Sequence, residues 1–401
     1  MSATDSQNIA REGLNRRSFV KGGLFAAGAL ASLAIAGPAL AESAAKDASA
    51  AADAAKGSAA ADASSAFVPP ASETGSWTFK DQGDNEVTVE IPVKRIVCMQ
   101  HHSLDMLCQL GQQDKVVGTE AKWKSDLGEY MLDVFPGIED VPTPGDLTDW
   151  NVEELAELKP DVVIAASQAN EDAMKQIRDL GIPVVMVSLR GEGRQAEAQS
   201  PRLADADAAY TEGCEWAVKT LGALTGSLDK ANEIWDFCVA SRQTVDEAVG
   251  DVPDDERVRA FVPMRDDKTY GNDKYVGCQL LRAGAVNVAA ADIQGNGTYT
   301  VEQLAVWDPD VIIIQDRYMD LYESFTTDAK YAELRAVKDG NVLLAPYWTK
   351  PWGNPDTDSM ALGELWLAHQ FYPEAVSEDE VLTRARDFYQ DFYGIEFTGE
   401  I

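Results

Sequence analysis

From Trp77 the chain alternates apolar and polar residues: Trp77-Thr78-Phe79 and Val87-Thr88-Val89-Glu90-Ile91 flank the turn residues Gln82-Gly83-Asp84-Asn85. A period of two on both sides of a turn predicts a β-hairpin. Arg95-Ile96-Val97-Cys98-Met99 then reads as a buried strand, and Ser103–Leu110 as a helix capped by Ser103 and stopped by Gly111. The chain opens its folded part with a hairpin and a strand-loop-helix unit.

The pattern then repeats. Asn151-Val152-Glu153-Glu154-Leu155-Ala156-Glu157-Leu158-Lys159-Pro160-Asp161-Val162-Val163-Ile164 is echoed by Thr300-Val301-Glu302-Gln303-Leu304-Ala305-Val306-Trp307-Asp308-Pro309-Asp310-Val311-Ile312-Ile313. Each copy has a capping residue, a short helix with its Glu near the start, a Pro-Asp stop and a β-branched run suited to a parallel strand buried on both faces. A helix near Asn170–Leu180 and a strand Val184–Val187 follow the first copy; Tyr331–Val337 and Val342–Leu344 follow the second. Between the copies, Ala204–Leu224 and Leu228–Val249 have helical periodicity, broken at Gly226-Ser227 with Ser227 as the expected cap.

The predicted fold class is α/β, two Rossmann-like lobes with parallel-rich sheets, joined by a long interlobe helix and facing each other over a ligand cleft. The expected boundaries are 75–203 for the N-terminal lobe, 204–250 for the helical connector and 251–401 for the C-terminal lobe with its terminal helices. A connector of this length acts as a stiff strut that allows only small lobe closure.

The segment ahead of the lobes changes the compartment. Asn15 to Lys21 read NRRSFVK, followed by an apolar run from Leu24 to Ala36 and the small-x-small site Pro38-Ala39-Leu40-Ala41. Roughly 13 apolar residues fall short of the ~20 that span a bilayer. Residues 1–41 therefore resemble a cleaved twin-arginine signal, which places the protein in the periplasm or at the cell surface. Residues 42–74 are an Ala-rich flexible spacer with little to bury.

Charge and cysteine usage exclude several classes. The 34 basic against 67 acidic residues leave −33, a field that repels phosphate backbones, so no nucleic-acid partner is expected. Cys98, Cys108, Cys214, Cys238 and Cys278 contain no CxxC pair, and no disulfide is required. There is no GxGxxG after a strand, GxxxxGK[ST], GxSxG or HExxH, which argues against an enzyme. With only three histidines, a metal site built on three imidazoles is not expected, and none is assigned.

The hairpin, Lys94-Arg95-Ile96-Val97, the two Glu-containing Pro-Asp phrases, the interlobe helices and the Trp352…Ser359…Leu362-Gly363…Trp366-Leu367-Ala368 ending stand in a recognisable order. In that order the chain resembles the extracytoplasmic substrate-binding proteins of ABC importers for iron-siderophore, haem and cobalamin, over about residues 75–395. The resemblance implies an ABC permease dimer with its ATPase as partner, and a metal chelate carried as cargo rather than as a cofactor. It also implies one glutamate per lobe docking onto permease arginines, here Glu153 and Glu302.

Ligands of open α/β lobes bind beyond the carboxyl ends of the strands. The loops there offer His101, His102, Lys122, Trp123, Asp146, Gln168 and Arg190 in the first lobe. The second offers Arg265, Tyr270, Tyr275, Tyr299, Arg317, Tyr318, Tyr347, Trp348, Lys350 and Trp352. Aromatic faces with a few cations suit a bulky anionic chelate through stacking and charge-assisted hydrogen bonds. In extended chain, adjacent His101 and His102 point oppositely, so at most one is expected to face the cleft. His369 is expected to pack on its helix. The alternative cargo is an oxyanion such as molybdate or tungstate, held by main-chain amides, hydroxyls and a basic residue, with Ser103, Thr119, Ser167 and Arg317 as candidates. A metal-chelate enzyme is the lesser alternative.

Overall fold

The two Pro-Asp phrases do the same structural work twice. Asp161 accepts the main-chain N–H groups of Lys94 and Arg95 at 2.7 and 2.9 Å, and the Arg95 guanidinium turns back to the Leu158 carbonyl at 2.6 Å. In the second copy Asp310 accepts from the Arg259 N–H at 2.9 Å, and Arg259 reaches the Trp307 carbonyl at 2.6 Å. Each carboxylate ties its own strand to the neighbouring one, and each arginine satisfies a carbonyl left open at a helix end. These contacts come from a computed structural model that describes residues 66–191 and 203–401. The signal-like segment and most of the spacer lie outside the described residues.

The hairpin forms as its alternation predicts, from β1 (Gly75–Lys80) and β2 (Glu86–Ile91). Next come β3 (Ile96–Met99), β4 (Val116–Thr119), β5 (Val162–Ala166) and β6 (Val184–Val187), an all-parallel sheet in the order β4-β3-β5-β6. The second lobe runs β7 (Val258–Phe261), β8 (Pro263–Met264), β9 (Lys268–Tyr270), β10 (Ala285–Asn287), β11 (Asn296–Thr298), β12 (Val311–Gln315) and β13 (Val342–Ala345). Four of these make a second parallel sheet in the order β10-β7-β12-β13, and β8, β9 and β11 form a small antiparallel sheet. Counted within each lobe, both parallel sheets run second, first, third, fourth. The sequence repeat is thus a repeat of topology, and each lobe places its strand ends, with their loops, on one edge.

The helices that matter to the site are α1 (His101–Gln109), α2 (Trp123–Asp126), α3 (Val152–Glu157) and α4 (Glu171–Asp179) in the first lobe. The connector is α5 (Ala206–Thr225) and α6 (Leu228–Val249). Helices α7 (Tyr275–Arg282), α8 (Val301–Trp307) and α9 (Glu364–Phe371) follow. Asn151 caps α3 through the Glu154 N–H, and Thr300 with Gln303 forms a reciprocal capping box on α8. The connector breaks at Gly226, whose φ of 77° favours a residue without a side chain. One apolar core runs from Trp77 of the hairpin through both sheets to Phe397.

Three local expectations shift. Helix α1 begins two residues before Ser103, with Gln100 at the cap position: the Gln100 side chain is tied to the Val187 carbonyl at 2.9 Å, and Ser103 donates to Gln100 Oε1 from inside the first turn. Ser227 stands at the start of α6, but its hydroxyl pairs with Thr225 Oγ1 at 2.8 Å instead of capping. The helix expected over Tyr331–Val337 is confined to Arg335–Lys338, because Tyr331 is drawn into a ring stack on Phe325 at 4.0 Å. All five thiols are buried and unbridged, and burial pushes the Cys98 thiol up to about 12. Among the described residues no helix is long and apolar enough to cross a membrane.

Candidate functional site

The early start of α1 decides the geometry. His101 and His102 occupy a helical first turn instead of extended chain, so their rings lie side by side, 4.4 Å between centroids. Both meet the Trp352 indole edge-on, at 6.1 and 5.4 Å. From the other lobe, the short turn after β12 lays the Arg317 guanidinium over the same indole, 4.6 Å from its centroid. Arg317 is held in place by Gln315 at 2.7 Å and crosses the cleft to the Asp126 carbonyl at 3.3 Å. Two imidazoles and a guanidinium from opposite lobes therefore ring one tryptophan.

Electrostatics fix the state of these groups. Burial, then the charges of Lys350 and Arg317, push His102 down to about 3; burial, then His102 and Arg317, hold His101 well below its usual range. Both imidazoles are neutral at pH 7, and each carries one N–H donor. The Nδ1 atoms of both rings and Nε1 of Trp352 are buried and find no hydrogen-bond partner among the described residues. Buried polar atoms left in this way are uncommon in a folded chain. They leave this part of the cleft able to hydrogen-bond a guest molecule.

Beneath Trp352 lies a fully buried ion cluster. The Lys350 ammonium bonds Asp105 of α1, Asp358 at 2.6 Å and Asp356 at 3.3 Å. Asp105 also accepts the hydroxyls of Tyr130 at 2.8 Å and Tyr393 at 2.9 Å. Burial opposes the charge on Lys350, but the three carboxylates outweigh it and hold the amine well above its usual range. Burial raises both Asp356 and Asp358, against the pull of Lys350, so the two carboxyls titrate as a pair. Lys350 is thus the floor of the site and a bond between lobes.

The other residues singled out in the sequence separate into groups. Tyr270 is buried at the cleft, its hydroxyl accepting from Gln315 Nε2 at 3.2 Å. Arg190 is buried after β6, close to Tyr210. Trp123, Tyr275 and Trp348 are core: Tyr275 donates to Glu364 at 3.0 Å, and Trp348 packs on Phe397 at 5.5 Å. Tyr299 packs on Phe261 at 5.0 Å, and Tyr347 stacks on Tyr130 at 5.1 Å. Asp146 secures its own turn, taking Lys122 at 2.8 Å and the Thr148 and Asp149 N–H groups; Lys122 and these donors hold its pKa far below the usual carboxylate range. Arg265 is largely exposed, paired with Asp320 at 2.8 Å and lying over Tyr318. Gln168 is half-buried with Ser167 as its partner. His369 bonds the Val376 carbonyl at 2.8 Å, away from the cleft.

Two buried ionisable residues beside the candidate site escaped the sequence reading. Lys274, at the cap of α7, is buried, and burial, then Arg190, pushes it down to about 8. A side-chain carbon added at Gly353, next to Trp352, would meet Lys274 Cε at 2.7 Å, which sets the lysine against the site. Glu120, directly after β4, is fully buried, and burial pushes its carboxyl up to about 7. Both follow strand ends as closely as the residues that were chosen, so position was the available signal.

With this geometry in view, four likenesses identify the lineage. The family described as "Periplasmic binding protein" matches residues 96–347. The molybdate-binding protein MolA of Haemophilus influenzae is 37% identical over 314 residues, covering 78% of this chain and 90% of that protein. A cobalamin-binding protein of Halobacterium salinarum is 26% identical over 248 residues, 59% of this chain and 58% of its own. The solved structure of MolA bound to molybdate, the periplasmic binding protein of an ABC transporter, superposes with a TM-score of 0.77 at 36% identity, covering 80% of this chain and 99% of that one. These relatives are substrate-binding proteins, and the chain belongs to the periplasmic binding protein family.

Proposed function

We propose that this protein captures a tetrahedral oxyanion of the molybdate or tungstate kind outside the cytoplasm and hands it to an ABC permease. The observation that carries the reading is the ring of donors around Trp352: neutral His101 and His102, the Arg317 guanidinium and the Trp352 N–H, with buried nitrogens that no acceptor among the described residues satisfies. In a chain of net charge −33, anion capture needs such a local concentration of donors and positive charge. The likeness to a protein solved with molybdate supports the same cargo.

This reverses the order of cargoes read from the sequence, where an iron chelate or corrinoid came first. That order rested on aromatic faces after the strand ends, and Trp123, Tyr275, Trp348, Tyr299 and Tyr347 turn out to be engaged in packing. A planar macrocycle needs a broad aromatic floor, whereas a compact anion needs convergent donors. Calorimetric titration with molybdate, tungstate, sulfate, haem, cobalamin and a ferric siderophore tests the choice: saturable binding of the first two is expected. Tight binding of a chelate with no oxyanion binding would overturn it.

The Lys274 pKa of about 8 gives a pH dependence. The amine is charged below that value and neutral above it, so its attraction for an anion is present at pH 7 and lost as pH rises through 8. Molybdate affinity should therefore fall between pH 7 and pH 9 in titrations of the wild type, and Lys274→Met should flatten the profile.

Glu153 and Glu302 are exposed in the first turns of α3 and α8, at equivalent places in the two lobes. They suit two similarly spaced cationic sites on a permease dimer. Glu153→Ala combined with Glu302→Ala should abolish uptake in cells while molybdate affinity of the purified protein stays unchanged; loss of affinity would place the effect in the cleft or the fold. We assign export to the twin-arginine route, and replacement of Arg16 and Arg17 by lysine should hold the protein in the cytoplasm, as cell fractionation would read.

A further inference from the structure

We propose that the cleft carries a second site, for a divalent transition-metal cation of the zinc or manganese kind, built from His101 Nδ1, Glu120 Oε1 and Asp126 Oδ2. It goes beyond the oxyanion reading, because Glu120 and Asp126 take no part in that reading; His101 is common to both, offering Nδ1 to the metal and keeping its N–H at Nε2 for the anion. His101 opens α1, Glu120 leaves β4 and Asp126 ends α2. These loops bring one ligand atom from each residue to within 4.8 Å of the other two. The His101 Nδ1 to Asp126 Oδ2 distance is 3.7 Å.

Satisfaction of the donors points to a ligand. Glu120 is fully buried: its Oε2 accepts the Lys122 main-chain N–H at 2.7 Å, and its Oε1 has no hydrogen-bond partner among the described residues. His101 Nδ1 is likewise buried and unmatched. Arg317 meets the main-chain oxygen of Asp126. The second acidic cluster of the cleft, Asp105 with Asp356 and Asp358, makes the contrast, since the Lys350 ammonium already sits among its carboxylates. At His101, Glu120 and Asp126 no cation among the described residues sits between the three ligand atoms, although the charges of Arg317 and Lys122 reach Asp126 from the side.

The donor set selects the chemistry. One imidazole nitrogen and two carboxylate oxygens, with water completing the shell, suit zinc or manganese better than the all-oxygen environment favoured by calcium. Metal–ligand bonds of ~2.0–2.2 Å put donors ~3–3.6 Å apart, so the triad has to draw in from separations of up to 4.8 Å. Asp126 can make that adjustment, since its side chain is 30% exposed. Two carboxylates and a neutral imidazole balance a divalent charge, and the second nitrogen of His101 remains free of the metal.

The test is calorimetric titration of chelator-treated full-length protein with zinc chloride and, separately, manganese chloride, with no oxyanion present. The wild type should show a single saturable site per chain for at least one of the two metals. Glu120→Gln and Asp126→Asn should each weaken it by at least about tenfold, the scale on which losing even a supporting group lowers metal affinity. Melting curves without metal establish that each variant is folded, and Asp126→Asn, at a partly exposed position, keeps the test alive if Glu120→Gln does not fold. Absence of a saturable site in the wild type, or an unchanged site in the folded variants, overturns the proposal. Molybdate titration of the same metal-free samples reports separately on the oxyanion reading, so failure of one is distinguishable from failure of the other.

Discussion

Replacing Lys350 by methionine should lower the melting temperature by roughly 6–10 °C, at about 2 °C per kcal/mol for a chain of this size. The reason is the imbalance left behind. Three buried carboxyls, Asp105, Asp356 and Asp358, share the one ammonium, and removing one partner of a buried ion group costs about 3–5 kcal/mol. Because the surviving charges cause that cost, Asp358→Asn introduced into the methionine variant should return part of the loss. Scanning calorimetry of the single and double variants decides the matter. A single variant as stable as the wild type would show that the cluster is neutral throughout and that its electrostatics have been misread.

Arg317→Ala should weaken molybdate binding roughly 10- to 150-fold, the equivalent of losing a charged hydrogen-bond donor worth about 1.5–3 kcal/mol. Its guanidinium is held over Trp352 by Gln315 and is supplied by the lobe opposite the histidines. Arg265→Ala is the matched control. That arginine also follows a strand end of the second lobe, but it is largely exposed and engaged with Asp320, an arrangement worth little to the fold. Affinity should hold within about twofold there. Equal losses in the two variants would mean that the anion responds to overall charge and not to the ring of donors.

The sequence made the scaffold legible because the scaffold is written in local signals. A Pro-Asp stop after a capped helix and before a β-branched run needs only neighbours along the chain to be read, and it marked both lobes. Capping failed where the cap is decided elsewhere: Gln100 is fixed by the Val187 carbonyl on another strand, and this moved the start of α1 back to the two histidines. The fates of the aromatics were beyond local reading for a similar reason. Trp348 is core because Phe397 packs on it, and Lys350 is a buried counter-ion because Asp105 lies 245 residues earlier. A cation after a strand end looks the same in sequence whether it lies over a cleft tryptophan, as Arg317 does, or neutralises carboxyls, as Lys350 does. Lys274 was passed over beside Tyr275 for want of any pattern that records burial.

The Lys350–Asp105 bond bears on how cargo leaves. It joins a loop of the second lobe to α1 of the first inside the protein, where water cannot replace either partner. A gape wide enough to part the halves would strand an ammonium on one wall and a carboxylate on the other. The rim contact of Arg317 with the Asp126 carbonyl, at 3.3 Å, is the interlobe bond that can part while this rivet stays closed.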